Sequence, residues 1–262
     1  MVKPIRNRRQ RITPWTYLLS LLPFFVYFAI YGSLGLYPNY KVHAVDIRPL
    51  YDLELRLFGI MDEGVRVIPG GYFMHHNHPV LDFIAGFSYL CWLPVPMGYA
   101  LWLAHRGRLD RALRMGWAFL TVNLVGFVIY YVHPAAPPWY ALVHGFEADF
   151  TTPGSCAGMA RFDELTGIPF YHAFYDKNAN VFAAMPSLHA AYIFIATIYT
   201  MKYGARRWVV ALFWLITLGT WFGAVYSAHH YILDVMAGIV VSLFGIWLYE
   251  RLRTLRSSQS AS

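Results

Sequence analysis

The chain has 262 residues, of which 58% are hydrophobic, 18% aromatic and only 13% charged; a water-soluble domain of this length would carry about twice that charge. With a mean hydropathy of +0.40, these figures exclude a disordered chain and speak against an ordinary cytosolic enzyme. The formal net charge of +7 would indicate a nucleic-acid partner only as a patch, and its distribution points elsewhere.

A membrane span needs about 20 mostly apolar residues. No Asp, Glu, Lys or Arg occurs between Arg11 and Lys41, between Asp82 and Arg106, between Arg114 and Glu147, between Lys177 and Lys202, or between Arg207 and Asp234, and a last apolar run covers Val235 to Tyr249. These windows predict helices at 15–37, 82–104, 113–132, 185–203, 208–227 and 230–249. The first is too long for a cleavable signal peptide and has no small-residue cleavage pattern behind it. Between the first two spans, Leu50, Leu53, Leu57, Phe58 and Met61 recur at helical spacing, with Arg48, Asp52 and Glu54 elsewhere on the turn. That pattern predicts a short amphipathic helix on the outer interface, or one that caps the bundle. The expected fold is all-α: one polytopic membrane domain over 1–262, six transmembrane helices, an outer interfacial helix, a basic tail at 1–13 and a second tail at 250–262.

Basic residues collect on the cytoplasmic side of short loops and tails. Fifteen of the 21 fall in one set of segments: Lys3, Arg6, Arg8, Arg9 and Arg11; Arg106, Arg108, Arg111 and Arg114; Lys202, Arg206 and Arg207; Arg251, Arg253 and Arg256. Both termini are therefore expected in the cytoplasm, with 38–81 and 133–184 outside.

Polar side chains within or at the mouths of spans cost free energy unless they are paired or used. Asp234 opens the sixth span four residues after His230, on one helical face. A carboxylate holding one imidazole nitrogen leaves the other as a nucleophile or base and stabilises the positive charge that develops; the pair could equally serve only to accommodate Asp234 near the membrane. His189 begins the fourth span in Met185-Pro186-Ser187-Leu188-His189, where proline suits the first turn and free helix amides can receive an anion. Spans four and six run in one direction, so His189 and His230 enter from the same face. Two imidazoles and a carboxylate at one depth suit phosphoryl transfer through a phosphohistidine with a separate acid/base. Ser187 is a poorer nucleophile, because its nearest base, His189, lies two residues away on another face. His75, His76 and His78 have no Cys or carboxylate at metal-ligand spacing, and no metal site is read there.

Three tracts, Pro134-Ala135-Ala136-Pro137-Pro138-Trp139-Tyr140, Met185-Pro186-Ser187-Leu188-His189-Ala190 and His229-His230-Tyr231-Ile232-Leu233-Asp234, resemble the successive motifs of the type 2 phosphatidic acid phosphatase superfamily. The likeness is greatest to its sphingolipid-synthase branch, the inositol phosphorylceramide synthases, where a proline-proline-tryptophan motif replaces the lysine and arginine motif of the phosphatases. It covers roughly 130 to 240 and the six-span layout. It implies His230 as nucleophile, Asp234 as its orienting partner and His189 as general acid/base, with Pro137, Pro138, Trp139, Tyr140 and Ser187 beside the substrate. His229 is either a substrate contact or a histidine at the membrane surface.

The phosphatases carry an arginine six residues before the nucleophile; Ala224 stands there, and the first motif has no lysine. A phosphodiester monoanion needs fewer cations than a phosphomonoester dianion, so this departure suits a diester substrate. Arg161 and Lys177, in the outer loop before the fourth span, are the remaining cations placed to reach a phosphate. The resemblance thus implies transfer of inositol phosphate from phosphatidylinositol to ceramide or a related lipid alcohol on the non-cytoplasmic face, with no metal, cofactor or nucleic acid. A lipid-phosphate phosphatase of the same superfamily, with water as acceptor, is the alternative. A transporter would spread its polar residues through the depth of several spans.

Overall fold

The computed structural model describes residues 12–175 and 180–259; Lys177 and the basic residues of the first tail lie outside the described residues. Helix α1 (Pro14–Leu34) leads to a segment with α2 (Arg48–Phe58), a hairpin of β1 (Ile60–Asp62) and β2 (Val65–Val67), and α3 (Pro69–His75). Helices α4 (Pro79–Leu90) and α5 (Pro94–His105) precede α6 (Leu109–Val132). A second connecting segment carries α7 (Pro138–His144), α8 (Ala160–Thr166) and α9 (Phe170–Tyr175), followed by α10 (Leu188–Lys202), α11 (Arg207–Tyr226) and α12 (Ile232–Gln259).

Helices α1, α6, α11 and α12 are long and apolar enough to cross a membrane, and α4 with α5 makes a fifth crossing if the pair, bent by 47°, counts as one span. The break falls at Pro94, which has no N–H to continue the ladder and whose ring excludes the Leu90 carbonyl. The remaining expected span, the fourth, is shorter than its apolar window. Helix α10 has 15 residues, roughly 22 Å at the α-helical rise. Its N-cap is Ser187, so Pro186 stands before the helix instead of in its first turn. The approach to it is an irregular run of turns and bends, in which Ala183 is bridged to Ala135.

The hairpin is a departure from the all-α expectation. Glu63 and Gly64 have φ of 47° and 85°, the paired positive values of a two-residue turn that matches strand twist, and they set the register Ile60↔Val67, Met61↔Arg66 and Asp62↔Val65.

Helix α10 is the centre of the bundle: eleven of its fifteen residues are buried, and Tyr192, Ile193, Ile195 and Ala196 join the main core with Phe24, Phe119 and Val122. Around it, apolar side chains point outward. Val128 is 63% exposed, Leu215 68% and Val240 64%, on three different helices. This is the surface of a protein whose solvent is hydrocarbon. The chain is a multi-pass membrane protein.

At the basic end, Glu250 of α12 ties three helices together. It accepts hydrogen bonds from Arg114 of α6 (Nε, 2.8 and 3.0 Å) and from the Tyr199 hydroxyl of α10 (2.7 Å), and Lys202 Nζ is 2.8 Å away. The directions of α6, α10 and α12 then put residues 132, 188 and 232 together at the opposite end.

Helix α2 turns a different face inward from the one its leucines suggest. Its buried residues are Leu50 and Glu54; Leu53 and Leu57 are exposed, and Met61 belongs to β1 and is exposed as well.

Candidate active site

Backbone hydrogen bonds draw the three motifs together. Ala135 N–H donates to the Phe182 carbonyl (3.1 Å) and Ala184 N–H to the Ala135 carbonyl (3.1 Å), which joins the first motif to the approach of the second. Trp139 N–H donates to the Ala228 carbonyl (2.9 Å), and Ser187 N–H to the Asp234 carbonyl (2.9 Å). Helix α12 can come this close to Ser187 because residue 238 is glycine: a Cβ there would overlap the Ser187 carbonyl oxygen.

The turn between α11 and α12 presents the histidines. The Ala224 carbonyl accepts the N–H groups of both His229 (3.1 Å) and His230 (3.0 Å). Ala228 has φ of 58°, a left-handed conformation costly for a residue with a Cβ and characteristic of functional turns. Ala224 itself is fully buried against a cluster that includes Tyr89, Met159 and Phe162. A guanidinium has no room there, which is the physical counterpart of the arginine missing from the motif.

His189 Nδ1 lies 3.3 Å from His230 Nε2. On the far side of the ring, His230 Nδ1 is 3.4 Å from Asp234 Oδ2, a long contact of the kind that tightens when substrate binds. The same carboxylate oxygen accepts the Tyr231 N–H at 2.9 Å, and Asp234 is wholly buried. Were the Nδ1 proton of His230 directed at Asp234, its Nε2 would carry the lone pair and accept from His189 Nδ1–H. His189 is sleeved by Tyr89 and Trp92, with ring centroids 5.1 and 4.9 Å away. His229 Nε2 donates to the Cys156 carbonyl at 2.8 Å, and its ring stacks on Tyr175 with centroids 4.5 Å apart.

These side chains face a small cavity of about 60 Å³, lined among others by Pro137, Trp139, His189, His229 and His230. Ser155, Tyr175 and Asn180 also line it. No sequence signal singled them out, because they come from the long segment between α7 and α10, which has no periodicity. The other residues named from the sequence lie elsewhere. Pro138 is buried at the start of α7. The Tyr140 hydroxyl donates to the Glu147 carbonyl (2.9 Å) and accepts the Asp149 N–H (2.6 Å), which folds the following loop. The Ser187 hydroxyl is fully buried and accepts the Ala190 N–H (3.3 Å), so it occupies one of the helix amides that the sequence reading left for an anion. Arg161 Nε is bound to Asp82 Oδ1 (2.6 Å), where the Tyr226 hydroxyl also donates (2.9 Å). It is not among the lining residues. Among the described residues no cluster of three or more His, Cys, Asp or Glu side chains could hold a metal: His76 Nε2 pairs with Asp62 (2.8 Å), and His78 Nδ1 accepts the Val80 N–H that opens α4.

The model of the PAP2 superfamily matches residues 70–248, which include the cavity histidines and Asp234. The chain belongs to the PAP2 superfamily. This PAP2 protein is 48% identical, over 88% of its own length and 75% of the relative's, to the phosphoinositol dihydroceramide synthase of Bacteroides thetaiotaomicron. It is 29% identical to the inositol phosphorylceramide synthase of Candida albicans, over 87% of this chain and 47% of that one. To the inositol phosphorylceramide synthase catalytic subunit of Saccharomyces cerevisiae it is 28% identical, over 86% and 55%. It thus spans about half the length of these fungal relatives and most of the bacterial one. No solved structure matches this PAP2 chain.

Proposed function

We propose that this chain is a membrane lipid phosphotransferase that moves inositol phosphate from phosphatidylinositol to the primary hydroxyl of ceramide, dihydroceramide or a related lipid alcohol. The observation that carries the reading is the contact of His189 Nδ1 with His230 Nε2, with Asp234 behind His230, in a cavity fed by all three motifs. Similarity to the named synthases supplies the donor and acceptor classes.

In the first half-reaction His230 Nε2 bonds to phosphorus, the bond from phosphorus to the diacylglycerol oxygen breaks, and that oxygen takes the proton of His189 Nδ1. Asp234 offsets the charge on the phosphorylated imidazole. In the second, His189 Nδ1 takes the proton of the acceptor hydroxyl, the new phosphorus–oxygen bond forms, and the bond from Nε2 to phosphorus breaks. Both alcohols react at the same phosphorus, so one acid/base serves both steps.

The phosphatase alternative is less well served. Among the described residues lining the cavity there is no Lys or Arg, which suits a monoanionic diester better than a dianionic monoester.

The proposed topology has six crossings, α10 and the irregular segment before it making the fourth, with both termini cytoplasmic and the cavity on the outer side. Its support is that the cavity lies at the end of the bundle opposite the basic segments. Helix α2, with Leu53 and Leu57 exposed, would then rest on the outer interface. The test is incubation of purified protein with headgroup-labelled phosphatidylinositol, with and without ceramide. Ceramide-dependent diacylglycerol and labelled sphingolipid are expected; release of inorganic phosphate from a lipid phosphomonoester instead would establish the phosphatase.

A further inference from the structure

Helix α12 begins immediately after the histidines, and its first amides need acceptors. A local cap would ordinarily come from Ser, Thr, Asp or Asn just before the helix. Those positions are occupied by His229, His230 and Tyr231, because the turn has to present imidazoles. The acceptors come from elsewhere: Asp234 Oδ2 takes the Tyr231 N–H (2.9 Å), Glu54 Oε1 takes the Ile232 N–H (2.9 Å), and Glu54 Oε2 takes the Leu233 N–H (3.2 Å).

Glu54 reaches this place from α2, a separate element 178 residues earlier in the chain. It is 1% exposed. Leu50, one turn before it, packs with Ile68, Ala135 and Tyr231. The start of α2 is tied to the first motif as well: Asp46 Oδ1 accepts the Leu50 N–H (3.0 Å), while Asp46 N–H donates to the Pro134 carbonyl (2.8 Å). One short helix therefore joins the proline-tryptophan loop to the helix that carries Asp234.

We propose that Glu54 is a positioning residue of the transfer reaction: by clasping the Ile232 and Leu233 amides it fixes the start of α12, and so holds His230 and Asp234 in line with His189. This rests on the phosphotransferase reading above. A carboxylate is an expensive choice for a merely packed position. Burial pushes the Glu54 carboxyl up to about 7, with the two amide bonds pulling the other way and the nearby charge of Asp234 adding to the rise. An apolar side chain would fill the space at lower cost but would leave two buried N–H groups unmade.

The test compares wild type, Glu54→Ala and Glu54→Gln as full chains in lipid nanodiscs. Turnover is followed with labelled phosphatidylinositol and a short-chain ceramide, and hydrogen exchange is followed in peptides covering 229–236 and 207–226. For Glu54→Ala we expect kcat to fall about 10- to 100-fold, with KM for both lipids within about twofold, as misplacement of reacting groups predicts. Exchange should accelerate at Ile232 and Leu233 and not in α11. Glu54→Gln, which keeps one acceptor but turns an N–H toward the other amide, should fall between wild type and Glu54→Ala. Unchanged kcat and exchange in both variants would overturn the proposal, as would a loss of activity that only tracks exchange rising throughout the chain. If the wild type transfers nothing from phosphatidylinositol, the reaction reading fails, and the local exchange of Glu54→Ala still decides whether the clasp exists.

Discussion

His189 Nδ1 and His230 Nε2 are 3.3 Å apart, close enough to share a proton. In the proposed reaction Asp234 holds the Nδ1 proton of His230, which leaves the lone pair on His230 Nε2 and the mobile proton on His189. A donor phosphate would then part the two rings, and the same proton would face the oxygen that leaves.

That arrangement separates the two histidines experimentally. His230→Ala should abolish transfer and any acid-labile phosphoenzyme. His189→Ala should lower turnover of phosphatidylinositol about 100- to 10,000-fold, the range for loss of a general acid/base. It should still form phosphoenzyme from an inositol phosphodiester with a nitrophenol leaving group, which departs without protonation. Asp234→Asn keeps an acceptor for the Tyr231 amide but no charge to offset the imidazolium, and should lose at least about 100-fold in kcat. Rapid-quench labelling measures all three, and a phosphoenzyme in His230→Ala would remove the assignment.

The contact between α12 and Ser187 makes residue 238 intolerant of a side chain. Gly238→Ala should destabilise the protein by about 1–3 kcal/mol, the usual cost of overpacking, and reduce activity with it, since Ser187 N–H is bonded to the Asp234 carbonyl across the same contact. Gly98→Ala, with open space around it, should leave thermal unfolding in detergent unchanged. Equal melting temperatures for the two variants would contradict the packing.

Topology can be read by labelling intact cells with a membrane-impermeant maleimide. Thr151→Cys, exposed between α7 and α8, should react from outside, and Ser257→Cys, near the end of α12, only after permeabilisation. The reverse pattern would put the chemistry on the cytoplasmic leaflet.

Metal dependence distinguishes this site from two-metal phosphodiesterases, whose ions are held by several carboxylates. The acid at the motifs, Asp234, is committed to His230 and the Tyr231 amide. Turnover should therefore survive excess EDTA and gain nothing from magnesium or manganese. Loss on chelation with stoichiometric recovery on adding a divalent ion would return attention to His75, His76 and His78.

The charge-free runs of the sequence contain α1 and α5 and most of α4, α6, α10 and α11, and the last apolar run contains over half of α12. Transfer of such segments out of water is a property of local composition, so the helical bundle could be read directly. The proximity of His189 to His230 followed from helix direction, and that of His230 to Asp234 from their spacing. Tertiary structure decided what polar groups do when their partners are far away in sequence. Arg161 meets Asp82 across 79 residues and Glu54 meets Ile232 across 178, and no periodicity encodes either pair. The inward face of α2 is a related case. The amphipathic pattern allowed a helix on the interface or one capping the bundle, and it did not single out Glu54 as a buried residue. Beside a bilayer the apolar face can turn outward, and the buried face goes to whichever side chain can satisfy the amides that α12 leaves open.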